Sequence, residues 1–374
     1  MLKGIHLTLL IGPAVPVPAP KFVVDAVQAI QVTSGKDRSG FQITFAVGKT
    51  STLLTTMLPA GYLDPIVTRV VIVVTLGGVP NVLMDGLVTR QELTQSNEPG
   101  QSTLTITGED LSLAMDIVDM VMPYPAVPEI GRIYLILAKY AFLGIVPVAI
   151  PPIISTTDVP TDKHESQTTT DRAYLQGLAR RVGWVFYVEP GPAPLTSIAY
   201  WGPDIRLPIP QPALNVNMDA HTNVESLSFS LDGLAKKLSI ITILDPGPGT
   251  IPIPIPIPNV NIFKPPLGLR PTPPAKVELH SDFANLKPDK AAQKILGLLM
   301  NNAEAITASG SLDVLRYGRV LRSRMLVGVR GAGLAYDGLY YVDSVTHNIK
   351  RGEYKQSFSL SRDGLISNTP RVPP

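Results

Sequence analysis

The chain has 374 residues, a net charge of +2 and no cysteine. That length exceeds one ordinary core and predicts two or more domains. The missing thiols exclude disulfide scaffolds, thiolate metal sites and cysteine nucleophiles and fit a reducing cytoplasm, while the near-neutral balance offers no broad basic field for nucleic acid.

Only 17% of residues are charged and 45% are hydrophobic, against roughly 25% charged in a typical soluble domain. Much apolar surface therefore needs a cover, and oligomerisation is the simplest one.

In chain order, residues 1–20 read as an extended arm. Lys3 and the apolar run to Val17 imitate a secretory signal, but Pro13, Pro16, Pro18 and Pro20 break the helix such a signal needs. Residues 21–118 predict a first β-barrel domain. Within it, 41–47 alternates at period two, and 70–74 is a β-branched run bounded by Gly77-Gly78. Asp85-Gly86 reads as a turn opening a hairpin whose tip holds Gly100 and whose returning strand carries Leu104, Ile106 and Leu111.

Residues 119–215 predict a small α/β domain. Its stretch 130–154 approaches membrane-span length, yet Arg132 and Lys139 interrupt it and Pro147, Pro151 and Pro152 end any helix, so a buried helix followed by a strand is expected and no membrane span. Thr170 or Asp171 can cap a helix with Leu175, Leu178, Ala179 and Val182 on one stripe and Gly183 as its stop. A buried strand, 184–188, should follow, with a turn at 190–192 before 198–201.

A second β-barrel domain is expected from 216–244 and 307–374, interrupted by an insertion at 245–306. In 224–231, alternation places Leu227, Phe229 and Leu231 together. Residues 245–274 hold 11 of the 37 prolines. Prolines at every second position from Pro252 to Pro258 rule out a helix or a central strand and predict an extended stretch whose isoleucines lie against a surface. Asp289 then reads as the cap of an amphipathic helix with Ile295, Leu296, Leu299, Met300, Ala303 and Ile306 on its apolar face.

The hairpin of the first barrel recurs in the second. Asp337-Gly338 follows Asp85-Gly86 by 252 residues. Residues 325–330 before Gly331 match 71–76 before Gly77 at an offset of 254, and Phe358, Leu360 and Leu365 answer Leu104, Ile106 and Leu111 at the same 254. Three landmarks in one order predict a single antiparallel unit present twice.

Signals for chemistry are weak. His164-Glu165 starts like a zinc-protease helix, but Thr168 stands where the second histidine belongs. Gly328, Gly331 and Gly333 mimic a phosphate loop, yet they join two strands and no Lys-Ser/Thr follows. No G-x-S-x-G elbow is present. Neither a cofactor nor a catalytic or metal site is expected. The two hairpin tips differ in charge, with Glu92 and Glu98 in the first and Lys350, Arg351 and Lys355 in the second, which fits either different neighbours or ordinary drift of surface charge.

The stretches DRAYLQGLARRVGWVFYVEPG (171–191), IAYWGP (198–203) and YDGLYYVDSVTHNIKRGEYKQSFSLSR (336–362) resemble the late-control D family of contractile phage tail hubs. That family includes hub proteins of bacterial contractile injection systems and the hub portion of type VI secretion spike proteins. The resemblance covers most of 41–365. It implies a structural protein, not an enzyme: a trimer in which each chain supplies two related β-barrels, so that three copies match a hexameric inner tube at one end and a trimeric spike at the other.

The implied partners are further copies of the chain, a separate spike protein, the inner tube protein and other baseplate proteins. Assembly would take place in the cytoplasm, and the product would be part of a phage tail or injection particle. On this reading Glu92, Glu98, Gln101, His347, Lys350, Arg351 and Lys355 are candidate docking residues. The proline stretch departs from the family pattern and is a candidate system-specific contact. No valine-glycine β-helix or lysozyme-like region follows Pro374, so the spike is expected to be another chain. The alternatives are a tail-associated hydrolase acting on peptidoglycan or protein, and a carbohydrate-binding adhesin that would need exposed faces on Trp184 and Trp201.

Overall fold

The computed structural model describes the chain apart from residues 1–3, 37–38, 99, 126, 155–165, 207–208, 245–251, 259–260, 262, 281–282, 284–287, 301–303 and 370–374. His164-Glu165 and Ala303 lie outside the described residues, as do the side chain of Asp289 and part of 245–274.

The first β-rich part comprises β1 (Ile5–Pro13), β2 (Val17–Pro18), α1 (Lys21–Asp25), β3 (Val27–Ser34), β4 (Ser39–Ala46), β5 (Thr68–Leu76), β6 (Val79–Thr94) and β7 (Thr103–Asp110). The expected N-terminal arm is not free. Ile5 to Pro13 pair antiparallel with β5, and Leu9 and Ile11 are buried. Its alternating apolar residues supply a face that the core takes up. With β1 on one side and β6 on the other, the run Val70 to Val74 is wholly buried.

The middle part holds β8 (Met122–Pro123), α2 (Glu129–Ala138), β9 (Ile145–Ala149), β10 (Ser166–Gln167), α3 (Asp171–Arg181), β11 (Val185–Pro190) and β12 (Ser197–Gly202). The Thr170 hydroxyl caps α3 by accepting the Ala173 N–H at 3.2 Å. The sheet runs β11-β12-β9, with β9 parallel to β12. Ile133, Ile136 and Leu137 of α2 and Leu175, Leu178 and Ala179 of α3 share a buried cluster with Trp184, Phe186 and Trp201.

The remainder contains β13 (Gln211–Asn215), β14 (Ser226–Leu231), β15 (Lys237–Leu244), β16 (Pro252–Ile257), β17 (Gly268–Pro271), β18 (Lys276–His280), α4 (Pro288–Met300), β19 (Ile306–Asp313), α5 (Val314–Tyr317), β20 (Leu326–Arg330), β21 (Gly338–Lys350), β22 (Glu353–Arg362) and β23 (Gly364–Ser367). The prolines at 252, 254 and 256 do form a strand, but as the edge of a three-stranded sheet ordered β16-β15-β18. Alternate N–H groups of a strand point to opposite edges, so prolines two apart can delete donors of the outer edge alone. Ile257 is buried against Ile241 and Phe283, whereas Ile253 and Ile255 are exposed.

Two separate barrels were expected, and the structure shows one sheet. Eleven strands of a thirteen-stranded sheet form a continuous path, β14-β19-β22-β21-β3-β4-β7-β6-β5-β1-β2, and the other two branch from it, β20 beside β21 and β13 beside β20. No ring of strands closes among the described residues. The two β-rich parts share one buried cluster, from Leu9 and Ile43 through to Val342 and Leu360, because β3 of the first pairs with β21 of the second.

Within that sheet the pairing pattern occurs twice. The first part runs β3-β4-β7-β6-β5 and the second β14-β19-β22-β21-β20, each with a short helical segment, Leu53–Met57 or α5, before the third strand of the chain order. The β6–β7 ladder shifts register between Val88 and Arg90, and the β21–β22 ladder between Val342 and Ser344, 254 positions later in both cases (88 to 342, 90 to 344). At each bulge a residue with positive φ donates its N–H to the first carbonyl: Ile66 (φ 68°) to Val88 at 2.6 Å, and Arg324 (φ 60°) to Val342 at 2.8 Å. Such a non-glycine conformation is uncommon, so its recurrence at matching bulges carries weight beyond shared strand periodicity.

The recurring pattern has a different register from the expected one. Arg90 faces Thr107 just as Ser344 faces Ser359, so Ile106 corresponds to Phe358, not to Leu360. Asp85-Gly86 is also not a turn, since β6 runs straight through it. The Asp85 carboxylate takes two hydrogen bonds from Arg69 at 2.7 and 2.6 Å inside the protein. The actual turn is Gly77-Gly78, where both φ values are positive.

Candidate interaction surface

The joint between the two β-rich parts is an antiparallel ladder from Val345 opposite Ser34 to Lys350 opposite Ala29. It gives β21 two partners along its outer half, β22 and β3. On the solvent side the hydroxyls of Thr33 and Thr346 lie 3.2 Å apart, and on the core side Ile30, Val32, Val345 and Ile349 are buried.

The candidate docking residues divide. Glu92, Glu98 and Gln101 are exposed on the first tip, where Glu92 pairs with Arg90 at 3.1 Å. Lys350 and Arg351 are exposed on the second tip, and Arg351 donates to the backbone carbonyl of Asp25. Lys355 sits between Glu225 at 2.8 Å and Glu353 at 3.2 Å, and its hydrogen bonds to Glu225 and then Glu353 raise its pKa. The residues of each tip share one hairpin, and the two hairpins belong to the two halves of the repeat.

His347 does not belong to a surface. It is buried in β21, with Nδ1 2.8 Å from the Tyr354 hydroxyl and 3.2 Å from the Gln356 amide. Gln356 also accepts from Leu321 N–H and donates to Leu321 C=O, which fixes its amide orientation. Nδ1 therefore faces a donor and acts as acceptor, leaving the ring proton on Nε2. Burial pushes its pKa down to about 3.

A polar cavity lies elsewhere among the described residues. About 580 Å³ in volume, it is lined by Lys36, Arg206, Lys264, Glu304, Asp343 and Ser361 among others. Burial raises the pKa of both Glu304 and Asp343, but Glu304 is ion-paired with Arg206, and Lys264 holds Asp204 at 2.5 Å. Among the described residues no group of three or more His, Asp or Glu side chains is placed to hold a metal.

The adhesin expectation fails on geometry. Trp184 and Trp201 are both buried, packed edge to face with centroids 5.1 Å apart, and the Trp201 indole N–H donates to Leu175 C=O at 3.1 Å. Neither ring can stack on a sugar.

The sequence reading placed alternation at 224–231, which becomes β14, but did not single out β3, and it did not connect the two. Both are short alternating segments, and β3 carries Gln28 and Gln31 among its apolar residues. Only the positions of the bulges, which need coordinates, identify them as counterparts.

With the repeat and its joint in place, comparison with solved structures becomes informative. The fold is that of phage tail and type VI secretion proteins. The 43 kDa tail protein of prophage MuSo2 from Shewanella oneidensis superimposes with a TM-score of 0.62 at 13% identity, covering 96% of this chain and 99% of that one. A tail protein from Neisseria meningitidis gives 0.60 at 16% identity, covering 97% and 98%. An Escherichia coli component of the type VI secretion system, described as structurally similar to bacteriophage tail proteins, gives 0.52 at 11% identity over 93% and 77%. No family model matches the chain, and no curated protein matches it in sequence.

Proposed function

We propose that this protein is the structural hub of a contractile tail or injection-system baseplate, acting as a homotrimer that joins a hexameric inner tube to a trimeric spike. The observation that carries this reading is the repeated strand pattern, bulge for bulge, placed side by side in one sheet through β3 and β21. Three chains with two like parts each can present six similar elements to a sixfold partner and keep threefold symmetry toward another. The fold shared with tail and secretion proteins supports the same reading.

Exposed apolar side chains supply the need for neighbours. Ile117, Val118, Val121 and Met122 form one exposed stretch after the first β-rich part, and Leu135, Phe142, Val146 and Val148 crowd the α2–β9 region. Permanent interfaces bury more than about 2,000 Å² and are apolar, so such surface belongs against another subunit, the spike, the tube or other baseplate proteins. Assembly would be completed in the cytoplasm before incorporation into the particle.

The test is a native mass measurement of the full chain, alone and with the spike protein encoded beside it. Three copies in the complex are expected, and a strict monomer in both samples overturns the reading. Incubation with peptidoglycan or casein should release no fragments; turnover would replace the hub with the hydrolase.

A further inference from the structure

We infer that the cavity where the three parts of the chain meet binds a single carboxylate carried on a small aromatic body, with the ring against Tyr200 and the carboxylate beside His347, Ser34 and Arg322. The site lies apart from the hairpin tips and goes beyond the hub reading.

About 320 Å³ in volume, the cavity is walled by Ser34 of β3, Leu83 of β6, Tyr187 and Tyr200 of the middle sheet, and Arg324 and His347 of the second β-rich part. That size falls in the range of small-molecule sites. It has room for roughly ten non-hydrogen atoms at the ~30 Å³ that each molecule takes in liquid water.

Polar groups stand where the sheet would otherwise be apolar. Along the β3–β21 ladder Ile30, Val32, Val345 and Ile349 make a buried core face. Ser34 lies opposite Val345 and His347 opposite Val32, so both share that face, because side chains two apart on a strand project to the same side. The repeat itself does not require a histidine there. At the common offset of 254, position 347 answers to Leu93. With Nδ1 engaged by Tyr354 and Gln356, the His347 Nε2–H has no partner among the described residues. Ser34 and Ser323 share one hydrogen bond at 2.7 Å, which leaves one of their two protons for another acceptor. Buried donors of this kind cost stability until something accepts from them.

Charge selects an anion. Two guanidinium groups, Arg322 and Arg324, line the cavity together with the carboxylates of Glu189 and Asp204. Asp204 is already taken by Lys264 at 2.5 Å and by the Tyr341 hydroxyl at 2.8 Å, and Glu189 by Arg324 at 3.4 Å. The Arg322 guanidinium donates to the Asn81 amide oxygen at 3.1 Å. One positive charge is thus left without a carboxylate partner among the described residues, and a carboxylate is what a guanidinium binds most strongly.

The walls select the body that carries the charge. Tyr187 and Tyr200 stack with ring centroids 5.2 Å apart, and the Arg324 guanidinium covers Tyr187 at 3.9 Å. Val82, Leu83, Val320 and Met325 add apolar surface. A flat ring gains from these contacts, whereas a bare hydrated anion leaves them unused.

The test is titration calorimetry of the full chain with phenylacetate, beside phenylacetamide, which lacks the charge, and acetate, which lacks the ring. Phenylacetate should saturate the chain and bind roughly tenfold or more tightly than either comparator. It should also raise the melting temperature, since a ligand held by the folded state alone stabilises it. Equal binding of phenylacetate and phenylacetamide, or no saturation at millimolar phenylacetate, overturns the assignment. Arg322→Gln changes an exposed position, and His347→Asn keeps an acceptor for Tyr354 but has no donor in place of Nε2–H. Each should weaken phenylacetate by about tenfold, and unchanged affinity in either overturns this placement of the carboxylate. An acetylated peptide ending in phenylalanine separates two sources of the same chemistry. Tighter binding than phenylacetate assigns the site to the end of a partner chain, and binding of phenylacetate alone assigns it to a free acid. The native mass of the complex is read separately, so failure here leaves the hub reading standing.

Discussion

The Nδ1 of His347 lies 2.8 Å from the Tyr354 hydroxyl, bridging the two arms of the β21–β22 hairpin inside the protein. Neutral imidazole accepts this bond; imidazolium cannot. With the folded pKa near 3 and the unfolded value near 6.5, the unfolded chain binds more protons between these limits. Stability is therefore complete above about pH 6.5 and falls as the pH drops toward 3, by a few kcal/mol in total. Thermal melts from pH 7 to 4 should show this slope, and His347→Gln should flatten it.

Arg69 and Asp85 form a buried bidentate ion pair, with Arg69 also donating to Ala14 C=O at 2.9 Å. Removing one partner strands the other charge away from water. Arg69→Met should lower stability by roughly 3–5 kcal/mol, while Arg69→Met combined with Asp85→Leu should cost clearly less. Denaturant unfolding of the two variants distinguishes a charge effect from a packing effect.

Gly108 and Gly86 sit under the Phe41 ring on neighbouring strands. A Cβ at 108 would meet the ring at 2.3 Å and Leu87 C=O at 2.4 Å. Because backbone forms one wall, the site cannot simply yield. Gly108→Ala is expected to cost about 1–3 kcal/mol, measurable as a lowered denaturation midpoint with an unchanged slope.

Ile66 keeps a β-branched side chain at positive φ although the side chain is exposed. Left-handed backbone costs an ordinary L-residue roughly 1–2 kcal/mol, and asparagine tolerates it. Ile66→Asn should thus stabilise the protein by about 1 kcal/mol and keep the N–H bond to Val88. Its counterpart Arg324 should not behave this way, because its guanidinium lies 3.9 Å over the Tyr187 ring.

The sequence showed clearly whatever depended on local periodicity. The stretch 41–47 forms most of β4, the Thr170 cap and the stripe of α3 are in place, and 184–188 and 198–201 fall within or beside β11 and β12. Long-range pairing was hidden. An Asp-Gly pair reads as a turn unless Arg69, sixteen residues away, is known to hold the aspartate. His347 looks like a polar tip residue until Tyr354 and Gln356 are brought across the hairpin. The single sheet depends on β3 meeting β21 across more than 300 residues, and no local pattern encodes that meeting. Of the candidate docking residues, His347 is withdrawn because it is buried.

The proline-bearing strand β16 has a consequence for life in a crowded cell. A bare sheet border risks recruiting strangers, or stacking without limit. Pro252, Pro254 and Pro256 can offer such a recruit no amide hydrogen. Exchanging all three for threonine would restore those donors and should raise the chain's tendency to form fibrils.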